Sequence, residues 1–232
     1  AEYRSVRGTV EAAAGYSFAL LGDVRAGWRR TRVRNELETG IDILAQVPDR
    51  GSGGWFVGAD LDRLDRLYFA RNGWSLLAEW YDAYMGGEDY SRASLDLRGA
   101  ATWRDTVFGA RVAWVGSPRG QLPLHDAGRL GGFLNMTSFA SGQLIGDDVA
   151  YAHVRAERII GRAPLGLRGD MRLGFALESG KVAKPYTVQK RDGWLHSAAV
   201  YLGGETFLGP VYLGLGAGTG RTFNAYLFIG TP

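Results

Sequence analysis

The chain has 232 residues, of which 46% are hydrophobic, and a formal net charge of +3. This length fits one large all-β domain or two small ones. Cysteine is absent, which excludes disulfide and thiolate–metal frameworks, and no Lys/Arg block predicts a nucleic-acid partner. The 35 glycines are about twice the usual share, but seven Trp, eleven Tyr and ten Phe argue against a disordered chain and favour short strands with tight turns.

Apolar and polar residues alternate with a period of two along the whole chain, and this pattern predicts β-strands. The clearest runs cover roughly ten residues each, the length that a tilted strand needs to cross a bilayer. They lie at 92–103, 148–157 and 167–178. Weaker runs complete a set of about eleven strands within one domain spanning residues 1–232. In chain order these lie at 10–20, 24–28, 55–61, 74–80, 108–114, 194–202, 211–215 and 223–229.

The predicted connections differ in length on the two sides of the sheet. Long polar loops are expected at 31–54, 116–147 and 181–192. Short connections are expected at 21–23, 104–105, 161–166 and 203–210. Short turns on one side and long loops on the other are typical of outer-membrane barrels. No run of about 18 apolar residues predicts a membrane-spanning helix instead.

The faces opposite the apolar ones carry many charged side chains, which a wide barrel can place in a water-filled lumen. The tryptophans are predicted to form an aromatic girdle at the two membrane interfaces. Trp55, Trp74 and Trp194 are expected to begin strands, and Trp103 and Trp114 to end them. A soluble lipocalin-like barrel, with the tryptophans capping a hydrophobic core, is the alternative that recovery of folded protein without detergent would support.

Several stretches of the sequence resemble sequence motifs of a known family. They are 62–74, 120–126, 129–135, 142–147 and 209–214. They resemble the surface-antigen barrels of the Omp85 superfamily, and most nearly the C-terminal barrel of patatin-like outer-membrane lipases. The resemblance implies a transmembrane β-barrel in the cell outer membrane of a Gram-negative bacterium, with a long sixth extracellular loop folded into the lumen.

The resemblance also implies a contact between that loop and the lumen wall. The family's loop carries an Arg-Gly-aromatic motif that locks against charged wall residues. Here the matching place reads Met136-Thr137-Ser138-Phe139, so only the aromatic, Phe139, carries over. The expected wall partners are Arg155, Glu157, Asp170 and Arg172.

The family barrel usually has sixteen strands and ends in an aromatic residue. The present chain shows about eleven or twelve strands, with five after the long loop, and it ends at Pro232. A single-chain barrel of even strand number has both ends on one side, so we expect further strands before Ala1 rather than two strands fused within 2–20. A second copy or another subunit that completes the barrel is a further expectation.

The implied function is a membrane anchor or translocator for an attached patatin-like passenger domain. Its expected partners are outer-membrane lipids and, during insertion, the barrel-assembly machinery. No cofactor, metal or catalytic residue is predicted, because Gly15-Tyr16-Ser17-Phe18-Ala19 lacks the last glycine of a nucleophile elbow and no helical period follows it. The alternatives are a passive pore and an outer-membrane phospholipase that would use Ser17 and His153.

Overall fold

The computed structural model describes residues 2–39, 50–87, 89–162, 170–186, 193–206 and 209–230. Strands make up most of the described residues. They are β1 (Glu2–Ser17), β2 (Gly22–Thr39), β3 (Arg50–Asp62), β4 (Gly73–Met85), β5 (Tyr90–Trp103), β6 (Thr106–Arg119), β7 (Gly128–Leu130), β8 (Leu144–Arg162), β9 (Asp170–Pro185), β10 (Trp194–Thr206), β11 (Gly209–Gly218) and β12 (Thr222–Ile229). Within these ranges no helix is long and apolar enough to cross a membrane.

One continuous antiparallel wall contains every strand except β7, which pairs only with β8. Each wall strand pairs with its neighbours in sequence, and β6 pairs directly with β8 across the longest connection. Consecutive antiparallel strands need only short connections, so the chain builds the wall as an up-and-down meander. The predicted all-β antiparallel barrel fold is confirmed.

The connections gather at two rims. Among the described residues, one rim, here called the turn rim, carries 18–21, 63–72 and 104–105. The opposite loop rim carries 86–87, 120–143 and 219–221. Several strands extend beyond the predicted apolar runs, so the predicted loops 31–54 and 116–147 were too long. Residues 40–49, 163–169, 187–192 and 207–208, which belong to predicted connections, lie outside the described residues.

The outer face of the wall is apolar and the inner face holds buried polar groups. Val10 is 70% exposed and Leu227 72% exposed, whereas Glu157 and Arg172 are each 1% exposed. A soluble sheet would cover its large apolar side chains and expose its charges. The inverted arrangement is that of a barrel whose outer face contacts lipid and whose lumen is polar.

The five predicted girdle tryptophans are divided between the half of the wall near the turn rim and the half near the loop rim. Trp74 begins β4 and Trp103 ends β5, both at the turn rim, and Trp194 begins β10 at the loop rim. Trp55 and Trp114 do not begin or end strands as predicted, because β3 and β6 continue beyond them toward the loop rim. Trp114 donates a hydrogen bond from Nε1 to Asp148 Oδ1 at 2.9 Å. The girdle itself stays a prediction.

Candidate functional site in the barrel lumen

Residues 120–143, here called the lumen loop, leave the loop rim and fold into the interior of the barrel. The loop is attached at β7, which pairs with the start of β8. One of its turns is closed by a hydrogen bond of 2.7 Å from Gly131 N to Asn135 O. Gly131 and Gly132 have φ angles of +111° and +112°, which residues with a Cβ rarely adopt. Within and after this turn Phe133, Leu134, Met136 and Phe139 are all buried.

Glycines on β9 and β11 form the surface on which the lumen loop lies. A Cβ at Gly214 would lie 2.7 Å from Phe133 Cε2, and one at Gly216 would lie 2.6 Å from Thr137 Cγ2. At Gly180 it would lie 2.9 Å from Leu130 Cδ1. Only a wall without side chains at these points allows the loop to approach the strand backbones so closely. Part of the high glycine content therefore serves to seat the loop.

Glu178 on β9 is the main polar anchor of the loop. Its carboxylate accepts hydrogen bonds from Thr137 N at 2.6 Å and from Met136 N at 3.2 Å. The Tyr151 hydroxyl lies 2.8 Å from the same carboxylate. Leu134 and Met136 have φ angles of 51° and 75°, so the backbone curves and its N–H groups point at one anion. A carboxylate that is 3% exposed requires such partners.

Two further strands, β10 and β12, complete the attachment. Ser138 N donates to Ser197 Oγ on β10 at 3.0 Å, and Asn224 Nδ2 on β12 donates to Ser138 O at 2.8 Å. The Tyr226 hydroxyl, also on β12, donates to Phe139 O. The loop segment 136–139 is thus bound to β8, β9, β10 and β12 at once, mostly through its backbone.

The predicted loop-contact residues divide into two groups in the structure. The Phe139 ring is buried in a cluster with Leu130, Met136, Leu144, Val149, Tyr151, Val182 and Leu195. Arg155, Glu157 and Arg172 meet one another elsewhere, with Glu157 Oε2 2.9 Å from Arg172 Nη1 and Glu157 Oε1 3.5 Å from Arg155 Nη1. Arg172 Nη2 donates to Phe69 O at 3.0 Å, and Asp170 pairs with Arg71. The polar partner of Asp170 and Arg172 is therefore the turn 63–72, not the predicted segment 136–139.

The turn 63–72 enters the lumen from the turn rim. Asp65 Oδ1 accepts hydrogen bonds from Arg71 N at 2.8 Å and Asn72 N at 3.1 Å. Partial desolvation works against the charged carboxylate, but these two N–H groups prevail and hold the pKa of Asp65 below its usual value. Phe69, at the tip of the turn, is buried, and Arg172 Cζ lies 4.8 Å from its ring centroid.

Tyr212 on β11 contacts both inserted segments. Its ring centroid lies 5.2 Å from that of Phe69 and 5.1 Å from that of Phe133. The turn 63–72 and the lumen loop come from opposite rims, so they meet inside the barrel at this tyrosine. Together they occupy the part of the lumen beside β9, β10 and β11.

Sequence reasoning missed the wall residues that contact the loop: Glu178, Ser197, Asn224 and Tyr226. The signal available for Glu178 was its position on the polar face of the predicted strand 167–178.

Ser17 and His153, the proposed lipase pair, are not brought together. Ser17 Oγ donates to Gly22 O at 3.5 Å, while His153 Nδ1 lies 2.9 Å from the Tyr151 hydroxyl. Among the described residues no group of His, Asp or Glu is arranged to hold a metal.

An apolar outer face, an antiparallel wall and a lumen occupied by the chain's own loop define a transmembrane β-barrel with a lumen-directed loop. No protein-family model and no curated protein matches the sequence. Solved structures do match, and those named below are barrels of the Omp85 superfamily.

BamA from Haemophilus ducreyi, in a crystal structure lacking POTRA domains 1–3, is similar with a TM-score of 0.73 and 13% identity, over 97% of this chain and 53% of that one. CdiB from Acinetobacter baumannii has a TM-score of 0.64 and 17% identity, over 95% of this chain and 41% of that one. CdiB from Escherichia coli has a TM-score of 0.64 and 15% identity, over 98% of this chain and 43% of that one. The chain thus spans about half or less of each neighbour, and the likeness shows the fold.

Proposed function

We propose that the chain forms the wall of an Omp85-type translocator in the outer membrane, with a lumen kept shut by its own loop until a passenger displaces it. The observation that carries this proposal is the anchoring of Met136 and Thr137 on Glu178. The anchor uses hydrogen bonds and no covalent link, so it can hold the loop and also release it. The similarity in fold to BamA and CdiB barrels supports the same class of function.

The proposed passenger is a patatin-like domain attached to the barrel. This proposal is supported by the sequence of residues 62–74 and 120–147, which resembles sequences in the barrels of patatin-like outer-membrane lipases. In this proposal the barrel anchors and passes the passenger and performs no lipid chemistry itself. Outer-membrane lipids contact the apolar outer face, and the barrel-assembly machinery inserts the chain.

Location is tested by expressing the chain with an epitope tag before Glu2 in a Gram-negative host. The protein is expected in the outer-membrane fraction. The longer loops of outer-membrane barrels face the outside of the cell, so in this proposal the loop rim is extracellular. Glu2 pairs with Thr39 beside the loop rim, so the tag is expected to be digested by protease added to intact cells. Recovery of the folded chain in the soluble fraction would contradict the proposal.

Gating is tested by planar-bilayer conductance of the wild type and of a variant lacking residues 131–139. We expect low conductance from the wild type and a clear increase when the loop is removed, because the loop occupies the lumen beside β9, β10 and β11. Steady conductance that the deletion does not raise would favour the passive pore instead. Phospholipid release that is lost on replacing Ser17 and His153 would favour the lipase alternative.

A further inference from the structure

Four carboxylates are each shared by two arginines: Glu11 lies near Arg25 and Arg29, and the other three are Glu79, Asp96 and Glu157. Glu79 lies 2.6 Å from Arg29 and 3.5 Å from Arg92. Asp96 lies 2.7 Å from Arg111 and 3.1 Å from Arg98. Glu157 is shared in the same way by Arg155 and Arg172. Each of the last three groups, here called a triad, contains two arginines and one carboxylate, and Arg29 of the Glu79 triad also pairs with Glu11 at 2.9 Å.

The triads follow one another through the lumen. The Glu79 triad joins β2, β4 and β5, and its Arg92 lies near the start of β5 at the loop rim. The Asp96 triad lies further along β5 and on β6. The Glu157 triad lies near the end of β8 and the start of β9, at the turn rim. The triads are therefore distributed between the two rims.

The Asp96 triad borders an unfilled part of the lumen. A cavity of about 600 Å³ lies between the lumen loop and the wall formed by β5 and β6, and Arg92, Arg98, Arg111 and Arg129 line it. Asp96 is the one carboxylate among the described residues that line this cavity. Glu178 lies outside the lining, on the other side of the loop, where backbone N–H groups of the loop cover it.

Asp96 accepts hydrogen bonds from both guanidiniums, but it carries one negative charge against their two positive charges. A carboxylate offers about four acceptor positions. Its two oxygens accept from Arg98 Nε and Nη2 and from Arg111 Nε and Nη2. The side chains of Arg98 and Arg111, which line the cavity, are 40% and 17% exposed. Positive charge in a cleft with low-dielectric walls raises the local concentration of anions.

We infer that this cavity is a binding site for anionic groups, either phosphate or the side-chain carboxylates of an acidic peptide. Several arginines at one cavity favour a ligand with several negative charges, because each guanidinium forms charge-assisted hydrogen bonds with phosphate or carboxylate oxygens. The site does not depend on whether the barrel transports a passenger.

Calorimetric titration of the refolded full chain in zwitterionic micelles at low salt tests the inference with two probes, sodium tripolyphosphate and tetraglutamate. We expect tripolyphosphate to bind and the affinity to fall with added salt. Tetraglutamate binding would identify acidic peptide as a ligand source, and its absence would restrict the site to phosphate. A wild-type protein that binds neither probe, or binds tetralysine equally well, would overturn the inference.

Variants of the Asp96 triad give opposite expected shifts. Arg98→Gln and Arg111→Gln each leave Asp96 with one arginine, so no buried carboxylate loses all its partners, and each is expected to weaken binding about tenfold. Asp96→Asn removes the negative charge and is expected to strengthen binding. Arg104→Gln makes the same charge change at the exposed turn 104–105 and is expected to leave affinity unchanged. Equal affinities for all four variants would contradict the site, provided that heat-modifiable gel mobility shows each to be folded.

Discussion

Glu178 accepts a hydrogen bond of 2.6 Å from the backbone N–H of Thr137, and this contact joins the lumen loop to the barrel wall. The donor is a peptide group, so any residue type except proline could supply it at position 137. The acceptor is an acidic side chain buried inside a barrel, where a polar group without hydrogen-bond partners is costly. The contact therefore constrains the wall residue more strongly than the loop residue.

Replacing Glu178 with Ala is expected to release the lumen loop. The change leaves the buried N–H groups of Met136 and Thr137 without an acceptor, at a cost of about 1–3 kcal/mol for each group. Trypsin cleavage after Arg129 measures the release, and we expect the cleavage rate to rise at least about tenfold in folded barrels. Asp105→Ala, which removes an exposed carboxylate from a turn, is the control. Equal resistance of Glu178→Ala and the control would show that the loop is held by other contacts.

Replacing Gly216 with Val is expected to displace the same loop from the other side. Its Cβ would lie 2.6 Å from Thr137 Cγ2, whereas valine itself fits a β-strand well. The barrel should fold and the loop should become accessible to trypsin. Gly58→Val is the matched control, since the nearest atom to a Cβ there is Ala78 O at 3.6 Å. A protected loop in Gly216→Val would disprove the close seating of the loop on β11.

Replacing Phe69 with Ala is expected to loosen the turn 63–72. The ring is buried against Tyr212 and Arg172, and loss of a buried phenylalanine costs about 3–5 kcal/mol. Because the chain has no cysteine, a single Ala70→Cys substitution reports on the turn through its rate of maleimide labelling. We expect faster labelling in Phe69→Ala and no change in Leu67→Ala, whose side chain is 80% exposed. Unchanged labelling in both would mean that the turn is held mainly by its polar contacts.

The turn 63–72 is also expected to depend on pH through Asp65. The pKa of Asp65 is lower in the folded chain than its unfolded value of about 3.9, so its contribution to stability is present above that value and is lost as pH falls through the folded pKa. Hydrogen exchange at the amides of Arg71 and Asn72, corrected for intrinsic rates, should therefore accelerate under acidic conditions. Asp65→Asn should show fast exchange at neutral pH and little further change on acidification. A wild-type rate that is independent of pH would exclude this role.

Much of the wall could be predicted from the sequence because strand periodicity is a local property. Alternation in 92–103 and 148–157 places one residue on each face in turn, and the structure has these runs in β5 and β8. Charged residues at 92, 96 and 98 could likewise be assigned to the lumen. Strand ends were less predictable, since polar residues continue a strand above the membrane without changing the backbone pattern.

The contacts inside the lumen could not be predicted in the same way. Arg155, Glu157 and Arg172 were predicted on the polar face of their strands. The hydrogen bond from Arg172 to Phe69 O could not be predicted, because the two residues are about a hundred positions apart. Glu178 was visible on the same face and was not selected, because its donors are backbone N–H groups that leave no mark in the amino-acid sequence.

The sequence by itself determined the strands, their apolar and polar faces and the presence of a long connection between β6 and β8, because these depend on residues that are neighbours along the chain. Only the tertiary structure decided where that connection goes. The glycines of β9 and β11, the curved backbone at 134–137 and the carboxylate of Glu178 become one binding surface only after antiparallel pairing has brought the strands side by side. The sharing of Asp96 by Arg98 and Arg111 has the same origin, since the register of β5 against β6 sets the two arginines opposite each other.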